Sequence, residues 1–252
     1  MRSDRPLVVL LPHPDDEFAV LPFLKREAQH GRELHLVWMT NGAVGRTLPA
    51  LRAEESRNAL AANGLGGVNS TFLGMDHALP DGRLHEHLVR AYAALTAHLD
   101  ALQGSFELWI PAWEGGHQDH DATHALGCLV ALGRGALVRE YPTYHGAGRR
   151  GPLFRVLSPL PGRRVVDRLS PTVSETWRLL LTCFCYRSQW RSFLGLLPMI
   201  TLHLLVFRRP MVLCEVDPAM PMARPHSGAL LYERRTAWRW DDLQSAIQGL
   251  WR

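Results

Sequence analysis

No stretch of this 252-residue sequence is apolar for long enough to suggest a membrane span, which takes about 20 predominantly apolar residues. The nearest approach, Leu194 to Phe207, is shorter, contains Pro198 and His203, and runs into Arg208-Arg209. The wider apolar stretch from Trp177 to Phe207 is therefore expected as buried or surface-docked helix, and membrane contact is not expected, though nothing in the sequence forbids it. A secretory leader is not expected either, because Met1 to Pro6 leads straight into a short apolar run without a small-residue cleavage site. Cysteine is scarce. The four present, Cys128, Cys183, Cys185 and Cys214, are spaced like neither a zinc ribbon nor a disulfide framework. They read as buried free thiols in a reducing, cytoplasmic setting. Charge of one sign is also in short supply: 28 basic residues face 24 acidic ones. That small, Arg-dominated excess comes with no nucleic-acid-binding motif, so no nucleic-acid partner is expected. Internal repeats and low-complexity tracts are absent. The 46% apolar and 21% charged content is that of an ordinary globular chain, long enough for one large α/β domain or two small ones.

Periodicity supplies the first positive signal. Leu7 to Leu11 is a Val- and Leu-rich run ending at Pro12, the pattern of a strand buried on both faces. Phe18 to His30 has helical spacing and stops at Gly31, and Leu34 to Met39 is a second strand leading into Thr40-Asn41-Gly42. Helices are predicted for Leu51 to Asn63, Leu84 to Leu102 and about Asp121 to Leu132, and strands for Val68 to Leu73 and Glu107 to Pro111. This alternation predicts an α/β fold with a parallel sheet flanked by helices on both faces. Gly146 to Arg164, rich in Gly, Pro and Arg, reads as irregular.

Ligands bind such sheets beyond the carboxyl ends of the strands, and two loaded segments fall there. Pro12-His13-Pro14-Asp15-Asp16-Glu17 follows the first strand, and Gly115-Gly116-His117-Gln118-Asp119-His120-Asp121 follows the fourth. Zinc takes imidazole nitrogen and carboxylate oxygen, and a catalytic site keeps three protein ligands. His13 and Asp16 can converge from one tight loop with His120 from the other, leaving Asp15 and His117 for proton transfer. Alternatively, Asp15 or Asp16 is simply the N-cap of the following helix. His124 reads as structural, and Glu114 and Asp119 read equally as solvated loop carboxylates or, one of them, as an acid that orients an imidazole.

At these residues the sequence resembles the PIG-L or LmbE-like zinc-dependent N-deacetylases, whose paired signature is a PHPDDE-type loop and a later His-x-x-His. Thr40-Asn41-Gly42, Arg52-x-x-Glu55 and Leu79-Pro80-Asp81-Gly82 are similar to further family elements, as is Tyr186-Arg187-Ser188-Gln189. The resemblance implies a Rossmann-like fold. It implies a single domain over 1–252, with a catalytic core over 1–145 and an extension over 146–252 completing the site. It also implies a Zn2+ cofactor on His13, Asp16 and His120, with Asp15 as general base and a protonated His117 stabilising the oxyanion. Arg52 and Asp81 match substrate contacts, Asp76 competing with Asp81; Arg52 also reads as a helix-surface partner of Glu55. Position 115 is glycine where some members carry tyrosine.

The function expected is removal of an N-acetyl group from an amino sugar or its conjugate. Hydrolysis of a thiol-precursor or natural-product amide, and a catalytically silent domain of the same fold, are the alternatives. The partner expected is a small-molecule amide, and a homo-oligomer stays open. The arginines of 146–164 are expected to form one wall of the pocket, meeting an anionic group on a larger substrate.

Overall fold

The apolar run Leu7–Leu11 forms β1, the strand around which the protein is built. All five of its residues are buried, and alternate side chains enter opposite cores: Leu7, Val9 and Leu11 on one face, Val8 and Leu10 on the other. That follows from the period of two along a strand. The computed structural model describes residues 4–43, 45, 47–102, 104–151, 153–219 and 222–251. After β1 come α1 (Leu21–Gln29), β2 (Leu34–Trp38), α2 (Pro49–Ala62), β3 (Asn69–Thr71), the single turn α3 (Leu73–Asp76) and α4 (Leu88–Asp100). Then follow β4 (Glu107–Pro111), α5 (Gln118–Arg134), β5 (Leu137–Tyr141), β6 (Tyr144–His145), β7 (Arg155–Val156) and β8 (Val165–Leu169). The chain ends with α6 (Val173–Thr182), α7 (Trp190–Thr201), β9 (Met211–Glu215), α8 (Leu231–Arg235) and α9 (Trp240–Leu250).

One seven-stranded sheet runs β3-β2-β1-β4-β5-β9-β8. The pairs from β3 through β5 are parallel, as the α/β alternation predicts, while β9 and β8 add an antiparallel edge. The order reverses between β1, which pairs β2 on one side, and β4 on the other. The crevice at that switch point, beyond the carboxyl ends of the strands, is where α/β sheets bind ligands.

Several boundaries differ from the predicted ones for identifiable reasons. The helix predicted from Phe18 opens instead as a 3-10 turn over Asp16–Ala19, with α1 starting at Leu21. Neither Asp15 nor Asp16 caps it with its side chain, because both carboxylates are engaged elsewhere in the loop. The third strand is only Asn69–Thr71, since Phe72 leaves it to stack on Trp38 at 4.3 Å. The long helix predicted from Leu84 begins as a 3-10 turn over Leu84–His87, where the Leu84 amide donates to Asp119. Helix α5 starts at Gln118, ahead of the predicted Asp121, so the second motif lies on a helix terminus rather than in a loop. The segment 146–164 is irregular apart from β7, which pairs β6.

Candidate active site

The Pro12–Glu17 loop is folded on itself by Asp16. Its Oδ2 accepts from the His13 backbone N–H at 2.8 Å and lies 3.0 Å from His13 Nδ1. Asp15 sits at φ 136°, a conformation costly for a residue with a Cβ, so the surroundings must hold it there. Two buried residues do so. Glu17, fully buried, accepts from the Asp15 N–H at 3.1 Å, from Trp38 Nε1 at 3.0 Å and from the Tyr186 hydroxyl at 2.9 Å. Arg52 is only 2% exposed: its guanidinium donates to the carbonyls of Pro14 and Gly42 and pairs with Asp15 Oδ1 at 3.2 Å. Gly42 has φ +66°, and a Cβ there would come within 2.9 Å of Pro14 Cδ, so a side chain would push the two loops apart. Arg52 thus clamps the loop, and its neighbour Glu55 turns away to accept from the backbone and hydroxyl of Ser188.

The second motif is arranged by helix α5. His117 is the N-cap, and its Nδ1 accepts from the Asp119 N–H at 3.2 Å. A nitrogen that accepts carries no proton, so in the neutral ring Nε2 bears the hydrogen. Asp119, fully buried, accepts from the backbone N–H groups of Gly82 and Leu84 and lies 3.1 Å from His13 Nε2. It therefore ties three loops together. His120 Nδ1 lies 3.0 Å from Thr143 Oγ1, and that hydroxyl donates to Glu114 Oε1 at 2.7 Å. Because Thr143 donates to Glu114, it accepts from His120 Nδ1–H, and His120 Nε2 lies 3.3 Å from Asp16 Oδ2. Gly116 passes directly against β6: a Cβ would fall 1.9 Å from the Tyr144 carbonyl oxygen, so no other residue fits without moving the backbone.

The structure thus brings His13, Asp15, Asp16, His117, His120, Arg52 and Asp81 to one crevice. The ligating atoms of His13, His117 and His120 lie within 4.8 Å of one another, as do those of His13, Asp81 and Asp119. Asp16 touches two members of the first group, His13 and His120. Asp81 Oδ1 is 3.4 Å from His13 Nε2 and its Oδ2 is 3.8 Å from Arg52, whereas Asp76 is solvent-exposed at the end of α3. Of the two aspartates that competed for this position, Asp81 is the one in the crevice.

Electrostatics separates the carboxyls. Burial pushes Asp15 up to about 8, with Arg52 opposing the rise. Burial also opposes ionisation of Asp16, but His120 and His13 hold it well below the ordinary carboxylate range. His13 is disfavoured as a cation by burial, yet Asp81, Asp119 and Asp16 carry it well above 6.5. Burial, reinforced by the positive charge of His13, pushes His117 down to about 3. Both effects favour the neutral imidazole, in which the hydrogen sits on Nε2.

The donor set suits a divalent cation. Asp15 and Asp81 share the Arg52 guanidinium, Asp16, Asp81 and Asp119 gather around His13, and Asp16 also approaches His120. Buried carboxylates in excess are costly unless paired or bound to a metal. Imidazole mixed with carboxylate is the ligand chemistry of zinc rather than magnesium.

Two supporting residues were not legible in the sequence: Thr143 lies remote from both motifs, and Trp38 reads simply as strand core. Tyr186 belongs to an element the sequence did mark, and its hydroxyl donates to Glu17. The acids proposed to orient an imidazole both do so, Asp119 directly and Glu114 through Thr143. His124, as expected, is structural: its Nδ1 bonds the Pro111 carbonyl at 2.8 Å. Two arginines of 146–164 are engaged away from the crevice, Arg163 with buried Glu140 and Arg164 with Glu215.

Comparison with known proteins places this geometry. The PIG-L family, described as GlcNAc-PI de-N-acetylase, matches residues 8–131. Among solved structures, a triple mutant of a deacetylase of the teicoplanin biosynthetic pathway superposes with a TM-score of 0.59 at 16% identity, covering 84% of this chain and 98% of that one. The A40926 pseudoaglycone deacetylase Dbv21 gives 0.58 at 17%, covering 87% and 100%. The N,N'-diacetylchitobiose deacetylase of Pyrococcus horikoshii gives 0.55 at 17%, covering 85% and 84%. At such identities these likenesses establish the fold, and no curated protein matches the chain. Both loaded loops fall inside the matched segment, so residues 8–131 carry a match to the PIG-L family.

Proposed function

We propose that the protein is a zinc-dependent N-deacetylase that hydrolyses an acetamido group on an amino sugar or its conjugate. The observation that carries this reading is the placement of Asp15, held by Arg52, and of His117, fixed by the Asp119 amide, beside the His13, Asp16 and His120 cluster. His13, Asp16 and His120 hold the metal. His117 is left outside that set because its Nδ1 is engaged by the Asp119 amide and its Nε2 carries hydrogen. When bound, zinc supplies Lewis acidity toward the acyl oxygen and makes water nucleophilic near neutral pH.

The chain's own groups do the rest. Asp15 in its ionised form, which a cation bound beside it would favour, takes a proton from the attacking water. The water oxygen adds to the acyl carbon, and the developing oxyanion receives the Nε2–H of His117, a donor fixed before reaction begins. The C–N bond then breaks as Asp15 returns the proton to the departing nitrogen, giving acetate and a free amine. Asp81, next to both His13 and Arg52, is placed to accept a sugar hydroxyl. Arg52, fully enclosed by the loop it clamps, supports Asp15 rather than contacting substrate.

The solved neighbours are named for diacetylchitobiose, teicoplanin and A40926, so the substrate panel spans free acetylated sugars and natural-product conjugates. Acetate release from at least one member, with about one zinc per chain, is the expected result. Stoichiometric zinc with no release from any acetamide would sink the deacetylase reading in favour of a silent domain. Intact Asp15 and His117 argue against the silent domain.

A further inference from the structure

No helix among the described residues is long and apolar enough to cross a membrane. The expectation that 177–207 is buried or docked on the protein holds for only one side of that segment. Its inner face packs well: Leu179, Leu180, Phe193, Ile200 and Leu204 join the main core. The outer face does not. Trp177, Leu181 and Phe184 form a stripe spaced at i, i+4 and i+7 on α6 and the turn after it, with Phe184 73% exposed. Trp190, Leu194, Leu202 and Val206 continue at multiples of four along α7 and the π-helical turn Leu202–Val206, with Leu194 69% exposed. Helices α6 and α7 both pack on the turn Cys183–Cys185 that connects them, and α6 also packs on the π-helical turn after α7, so the segment is one helical unit. Exposed apolar surface of this extent marks an interaction site.

Charge decides what it meets. Between Glu175 and Glu215 the sequence has no acidic residue and five arginines: Arg178, Arg187, Arg191, Arg208 and Arg209. All five are exposed, and two lie over exposed rings, Arg191 on Trp190 and Arg209 on Phe207. A hollow of about 170 Å³ beside the end of α7 is bordered by Arg149, Arg155 and Arg209 and shares Leu202 and Phe207 with the apolar surface. A two-fold contact between copies would set the same patch against itself, placing arginines opposite arginines with no acid to answer them. A face of tryptophan, leucine and phenylalanine mixed with arginine suits the interface of an anionic bilayer, where apolar groups enter the acyl boundary and guanidinium groups meet phosphates.

We infer that the outer face of α6 and α7 docks this protein peripherally on anionic membrane surfaces. Docking does not rest on the proposed deacetylation, but it orients the crevice, because the same unit is bonded to the first motif through Tyr186 to Glu17 and packs Phe193 on Phe18. The test is co-sedimentation of the full chain with vesicles of phosphatidylcholine alone or mixed with phosphatidylglycerol. Binding to the mixed vesicles only, weakened by salt, is expected. Trp190→Ser with Leu194→Ser should abolish it while the melting temperature holds, since both side chains are exposed. Arg208→Gln with Arg209→Gln should weaken it about thirtyfold, the effect of two basic residues at a charged surface. Equal binding to both vesicle types, or to neither, overturns the inference. So does a concentration-dependent dimer that Trp190→Ser with Leu194→Ser dissociates, which would assign the face to self-association.

Discussion

At the scale of single residues, Arg52 and Asp15 depend on each other. The guanidinium satisfies the carbonyls of Pro14 and Gly42 and opposes the rise in the pKa of Asp15. Arg52→Ala removes a buried charge partner and leaves two carbonyls without donors, which should lower stability by on the order of 3 kcal/mol. Asp15 then loses its positive neighbour, so its pKa rises further and the acid limb of the kcat/KM profile moves to higher pH. A substrate contact would instead raise KM with the limb in place, so the pH profile separates the two roles. Asp15→Asn is the companion measurement: turnover should fall about 10²–10⁴-fold, the usual range for a general base, with zinc retained. Near-normal turnover would remove Asp15 from the chemistry.

At the scale of elements, the sites were legible where chemistry and periodicity coincide. Leu7–Leu11 and Leu34–Trp38 show their strands through apolar runs, and the His- and Asp-rich loops stand out directly beyond their ends. What sequence alone could not supply was the pairing between distant segments. Nothing local marks Thr143 as the group that fixes the ring of His120, and the element at Tyr186 does not itself reveal Glu17 as the partner, because both contacts arise from how β5 and the C-terminal helices return to the crevice. The start of α5 was misplaced for a related reason: His117 is not a typical N-cap residue, and its capping bond to Asp119 is visible only in three dimensions. The Thr143 contact gives a prediction. A residue that orients a ligand's ring contributes typically 10–100-fold to metal affinity, so Thr143→Val should weaken zinc binding by that factor in a competition titration. Unchanged affinity would mean that helix α5 alone holds His120 in place.

At the scale of the whole molecule, the buried acids and histidines outside the proposed metal and catalytic set define a pH window for stability. Burial pushes Glu114 up to about 8 and Asp121 and Glu140 up to about 7. A carboxyl raised on folding contributes stability that is fully present below its unfolded pKa and is lost as pH rises through the folded value. Burial pushes His124 down to about 3 and His145 down to about 4. These contribute stability that is present above the unfolded value and lost as pH falls through the folded one. Between the ordinary pKa values of acids and histidines, about 4 to 6.5, the two sets oppose each other. Above about 6.5 these two histidines no longer titrate, while the raised carboxyls, joined by His13, lose their contribution, so the metal-free protein should melt at progressively lower temperature as pH rises from there through 7 and 8. Glu140→Gln removes one of these acids while keeping an oxygen to accept from the Trp113 amide, and should make that decline shallower. Thermal scans of the metal-stripped wild type and variant across this range decide the matter. A melting temperature independent of pH above neutrality would show that these carboxyls are ionised inside the fold, with Arg163 neutralising more of their charge than its single contact to Glu140 suggests.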